Sequence, residues 1–143
     1  MDRLLRARLP VTWSLVLDIA FVVIFVVIGR RNHENGFALP GLLLAVLPFL
    51  VGLGAGWTLI RWRSAAWPQR VAHGVTLAVV TVTVGMLARV VLGQSVGDGL
   101  GGLVTFAAVA LAFLVLFLVG WRAVAAYLTP QPPTHRTAAG EAP

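Results

Sequence analysis

A chain of 143 residues that is 59% hydrophobic and only 11% charged has too few charges to coat a water-facing globule, in which about a quarter of residues are charged. With a mean hydropathy of +0.91, the class that remains is an all-α integral membrane protein, with lipid as its outer solvent. The absence of cysteine excludes disulfides and thiolate chemistry, and the net charge of +6 comes without the basic stripe and interleaved aromatics of a nucleic-acid binder.

Four apolar runs approach the ~20 residues that cross a bilayer. Their many β-branched residues would favour strands in water, but an isolated strand in lipid leaves its backbone unpaired, so helices are expected. The first run covers about 11–28. The basic MDRLLRAR ahead of it resembles the start of a secretory signal, but the run is long for one. It is followed by GRRNH rather than a small-x-small cleavage site, so a retained helix is favoured. The second run covers about 39–60 and contains Pro48, which removes a backbone donor and is expected to kink it. The third covers about 74–92. A glycine-rich connection, GQSVGDGLGG, leads to the fourth, about 100–128. Residues 1–128 therefore read as one four-helix transmembrane domain. Residues 129–143, TPQPPTHRTAAGEAP, read as a disordered cytoplasmic tail.

The arginines orient the spans. Four crossings place Arg3, Arg6, Arg8, Arg61, Arg63, Arg70, Arg122 and Arg136 on one side and Arg30, Arg31 and Arg89 on the other. By the positive-inside rule both termini are expected to be cytoplasmic, in the cell inner (plasma) membrane. Trp13, Trp57, Trp62, Trp67 and Trp121 fall near the same inner face, as an interfacial aromatic belt would.

Small residues mark the faces on which helices approach closely in lipid. The second run carries Gly41, Ala45, Pro48, Gly52 and Gly56 on one face; the third Ala78, Thr81 and Gly85; the fourth Thr105, Ala108 and Ala112. These stripes either pack the four helices together or form a homodimer seam.

Asp18 interrupts the first run. A carboxylate at the centre of a membrane helix costs about 2.5–3.5 kcal/mol on insertion scales, and such residues face the bundle interior and a partner. Depth counted along the helix places Thr81 opposite Asp18, with Arg89 ~12 Å further out. Asp18 is then an interior anchor bonded to Thr81, a titrating proton or cation site, or a contact with a partner subunit. At the other end Arg30, Arg31, His33 and Arg89 form a candidate anion or lipid-headgroup site, since guanidinium forks match phosphate and carboxylate oxygens. The competing readings are neutralisation by the nearby Glu34 and Asp98 and snorkelling at the rim. His33, His73 and His135 are too scattered for a metal site, and neither a cofactor motif nor a nucleophile–base pair is present.

The aspartate of the first run, the GRRNH ending, PFLVGLGAGW, VTVGMLARVVLGQ and the closing VGWR together resemble the actinobacterial domain-of-unknown-function 3054 family, over about Leu15 to Arg122. The resemblance implies a small four-helix inner-membrane protein without an assigned activity. It places Asp18, Gly29, Arg30, His33, Gly52, Trp57, Gly85, Arg89, Gly120 and Arg122 at motif positions. Two functions stand against each other. One is a non-enzymatic membrane protein, structural or partner-binding, that packs with itself or with another membrane complex. The other is a small proton-coupled transporter with Asp18 as its titrating site.

Overall fold

Four helices account for the computed structural model, which describes residues 9–30, 39–65, 67–94 and 99–128. They are α1 (Val11–Arg30), α2 (Leu39–Ser64), α3 (Val71–Val91) and α4 (Gly99–Leu128). Each is long and apolar enough to cross a membrane, and the chain is a multi-pass membrane protein. Residues 1–8 and the tail 129–143 lie outside the described residues, as do Arg31 and His33. The helices outrun the apolar runs: α2 continues through Arg61, Trp62 and Arg63 to Ser64, and α3 already starts at Val71. Hydropathy marks where lipid ends, whereas a helix stops only where its backbone bonds do.

Consecutive helices pack against one another, α2 against α3 most closely, and α4 returns to α1 to close the ring. Chain direction is given by the contacts. A Cβ added at Gly52 would stand 2.6 Å from the Thr81 carbonyl oxygen, one at Gly56 3.0 Å from Leu77 Cδ2, and one at Gly85 2.7 Å from the Phe49 ring. Moving forward along α2 means moving backward along α3, so the two are antiparallel. Gly52 and Gly56 of the second run's small stripe are thus at the seam with α3, and Ala45 is buried as well. Gly74 does the same for α3 and α4, lying against the backbone of Leu118 and Val119.

The fourth helix corrects the stripe expected on it. Thr105, Ala108 and Ala112 are exposed. Its buried face is Ala110, Leu114, Leu118, Arg122 and Ala126, at steps of four. A glycine or alanine marks a seam only where the helix partner is close, and here bulk apolar side chains fill the contact instead. Phe25, Phe49, Phe106 and Phe113 cluster in the core, with Phe25 edge-on to Phe49 at 5.4 Å between ring centres.

Polar side chains repair the backbone at two places. Pro48 lacks the N–H that would bond the Leu44 carbonyl one turn earlier. The side-chain amide of Gln94, just past α3, donates to that carbonyl at 3.1 Å, and α2 runs on unbroken. The connection between α2 and α3 folds inward, with Ala65 at φ 49° and with Pro68 and Gln69 buried. Gln69 donates through its side-chain amide to the Leu9 carbonyl, tying the approach to α1 onto this loop.

Candidate functional site

Asp18 sits on the inward stripe of α1 with Ser14, Val22, Phe25 and Val26. It is fully buried. Its partner is Arg122, on the inward stripe of α4 and also fully buried. Arg122 Nη1 donates to Asp18 Oδ1 at 2.8 Å, and Nη2 donates to Oδ2 at 2.7 Å. This is the planar two-bond geometry that makes guanidinium–carboxylate pairs the strong ones. Two indoles complete the carboxylate. Trp57 of α2 donates from Nε1 to Oδ2 at 3.0 Å, and Trp121 of α4 donates to Oδ1 at 2.9 Å. The indole of Trp121 also lies beside the guanidinium, whose central carbon is 4.4 Å from the ring centre.

The remaining donors of Arg122 meet backbone. Nε donates to the Pro68 carbonyl at 3.0 Å, Nη2 to the same oxygen at 2.8 Å, and Nη1 to the Leu118 carbonyl at 2.8 Å. A guanidinium has five N–H donors, and here each has an acceptor. Each Asp18 oxygen accepts two bonds. The opposite charges of the pair cancel, its donors and acceptors are saturated, and it joins α1, α2, α4 and the α2–α3 loop.

This geometry corrects the partner expected for Asp18. Thr81 is buried, but its backbone carbonyl faces Gly52, and its hydroxyl has no hydrogen-bond partner among the described residues. The distribution of arginines along the chain groups Arg122 with those of the inner rim. Counted from the helix ends, Asp18 lies ~10 Å from Val11 and Arg122 ~9 Å from Leu128, so the two are level. The aromatic belt also divides. Trp13 and Trp62 are exposed, 61% and 83%, whereas Trp57 and Trp121 turn inward to Asp18. A single pattern would have flagged the cluster: a buried acid needs donors at its own depth, and an indole N–H is one of the few that lipid-facing helices can supply.

At the opposite end of the bundle, Arg30 and Arg89 line one small pocket with Gly29, Ala45 and the Phe25, Phe49 and Phe106 rings. Of the four residues expected to cluster there, these two come together, and Arg31 and His33 lie outside the described residues. Gly41 lies beside the Arg30 guanidinium rather than on the α3 seam. Among the described residues no group of three or more histidine, cysteine or acidic side chains is placed to hold a metal.

Compared with known proteins, residues 15–125 match the family described as "Protein of unknown function (DUF3054)". No curated protein and no solved structure gives a significant match.

Proposed function

The chain belongs to the DUF3054 family, and on that footing we propose that it is a non-enzymatic protein of the plasma membrane that packs with another membrane protein or with a second copy of itself. Both termini lie in the cytoplasm, on the side that the eight-to-three division of arginines favours. The Asp18 cluster is its structural lock. The observation that carries this reading is saturation: both carboxylate oxygens are occupied by four N–H donors, and the side chain has no exposure. A proton-coupling site must meet water and substrate in turn, and a carboxylate held this way meets neither.

The partner-binding half of the proposal draws on α4. It is the longest and most apolar helix, yet only 17% of its most apolar stretch is buried inside the fold. The exposed Thr105, Ala108 and Ala112 stripe gives that outward face the small side chains on which membrane helices associate.

Because the chain has no cysteine, Ala108→Cys introduces one thiol on this face. Oxidative and bifunctional cross-linking in native membranes should trap a dimer or a discrete heterologous adduct, and the same thiol on a lipid-facing position such as Val79 should not. The transporter reading is tested beside it. Purified protein is mixed with a panel of cationic and anionic solutes, and proton release is recorded. Release that is present in the wild type and lost when Asp18 is replaced would overturn the structural assignment.

A further inference from the structure

α1 and α4 close the ring with the loosest of its four contacts. From the end of the bundle that carries Leu9 and Leu128, they part and leave an apolar groove of about 740 Å³, within the roughly 300–1,000 Å³ of sites that hold small molecules. Leu17 and Phe21 line it from α1, and Leu116, Gly120 and Val124 from α4, each set at steps of four that keep to one helical face. Gly120 holds it open, since a Cβ there would meet nothing within 4 Å.

The groove has the length of one leaflet. Leu116 to Leu128 is ~18 Å along a helix, against ~15 Å for half of the hydrocarbon core. It stops where Phe21 packs on Phe117 with ring centres 5.0 Å apart, and Phe21 stands halfway along α1. A partner's membrane-spanning helix needs a seam over the full span, and this one closes at the midplane. A polar solute finds apolar walls, and a cavity with such walls stays dry. Left empty, it would deny its lining side chains their contacts. A chain of methylenes that enters at the headgroup level and ends near the midplane meets all three conditions.

One wall is shared with the ion pair. Trp121 lines the groove and is half-buried, and its Nε1 donates to Asp18 Oδ1. An apolar occupant keeps water from that bond, and a hydrogen bond in a dry site is stronger.

We propose that this groove binds one phospholipid, with an acyl chain of the leaflet on the side of the termini seated between α1 and α4 against Trp121. The site lies on the other half of α4 from Thr105, Ala108 and Ala112, so its failure would leave the proposed partner contact untouched, and the reverse.

The full chain is purified in mild detergent and weighed by native mass spectrometry. In parallel it is reconstituted into nanodiscs of phosphatidylcholine that carries a photoactivatable diazirine midway along one acyl chain. We expect the wild type to retain one phospholipid and the adducts to concentrate on the groove-lining peptides of α1 and α4. Gly120→Leu fills the groove and should lower both readouts about tenfold or more. Gly54→Leu puts the same side chain into open space on α2 and should leave both unchanged. Should Gly120→Leu fail to fold, Val124→Trp, at an exposed position of the groove, decides it. A wild type that retains no lipid, groove adducts no denser than those on the exposed Leu47 and Val51 face of α2, or equal retention by the groove-filled variant overturns the proposal. So does a dimer that the groove-filling substitution dissociates, which would make the occupant a second copy of the chain.

Discussion

The two ends of the bundle treat charge in opposite ways. At one end a guanidinium meets a carboxylate, both fully buried, and indoles and carbonyls satisfy what remains. At the other end two guanidiniums share one pocket among phenylalanines. A neutral group whose donors and acceptors balance inside the chain is suited to holding helices. Two arginines that are only half-buried sit in looser surroundings at the end of the bundle. The contrast shows that a charge buried in a membrane helix is not by itself a functional sign, since a fully partnered one serves to hold helices.

The largest expected effect breaks the balanced end. Arg122→Leu leaves the Asp18 carboxylate without its cation and should lower unfolding stability by about 3–5 kcal/mol, measured in mixed micelles. Replacing Asp18 and Arg122 together with leucine and methionine should regain most of that loss, because removing both charges spares the cost of either alone. A double variant as unstable as the single one would show that the charge pair is not what Arg122 contributes. Asp18→Asn belongs with the damaging changes: bonded to Thr81 it would have been nearly silent, but facing Arg122 it leaves a guanidinium buried without a counter-charge.

A smaller step removes one donor and keeps both charges. Trp57→Phe takes one N–H from Oδ2 and should cost about 1.5–3 kcal/mol, the usual range for a bond to a charged group. Trp121→Phe should cost less, because Trp121 is only half-buried and water can take its place. Equal, negligible effects of both would mean that the guanidinium alone satisfies the carboxylate.

Between the two ends, the α2–α3 seam offers a matched pair of glycines. Gly52→Ala drives a Cβ into the Thr81 backbone at 2.6 Å and should cost about 1–3 kcal/mol. Gly54→Ala, two residues on with nothing within 4 Å, should be neutral or gain up to about 1 kcal/mol from helix propensity. The reverse ranking would place the seam on the wrong face.

The smallest effect sharpens the comparison from the other end. Arg89→Leu should cost about 1 kcal/mol in detergent, well under Arg122→Leu, because Arg89 is only half-buried whereas Arg122 is fully buried. A loss as large as that of Arg122→Leu would make Arg89 a structural residue too.

Much of this fold could be read from the chain because lipid leaves few choices. A run of some twenty apolar residues must satisfy its own backbone, so α1 and α2 were legible, as was the close approach at Gly52 and Gly56. What escaped notice depended on side-chain geometry across helices. Asp18 announced itself as the acid in the first span, but Arg122 lay beyond the most apolar part of the fourth and resembled the arginines of the rim. Trp57 and Trp121 were indistinguishable in sequence from Trp13, Trp62 and Trp67, and only the packing turns two of the five indoles inward. Gly74 was lost because the third apolar run seemed to begin there, although α3 starts a turn earlier at Val71. Pro48 was visible as a missing donor, but nothing in its neighbourhood pointed to Gln94 as the group that would bond Leu44.

The bond between α1 and α4 also has a history in time. Asp18 and Arg122 are separated by 104 positions, so at a synthesis rate of about 5–20 residues per second the carboxylate is made roughly 5–20 s before its cation. During that interval the carboxylate has no guanidinium to meet, and a central acid costs the first helix about 2.5–3.5 kcal/mol on insertion scales. The ion pair forms only when the last helix arrives, so it favours the complete bundle over a partial one. A chain stopped after α3 never forms it. In a pulse-chase experiment such a truncated chain should be degraded several times faster than the whole protein, and Asp18→Leu within the truncated chain should slow that loss. Equal lifetimes for the two truncated chains would mean that the cell does not sense the waiting carboxylate.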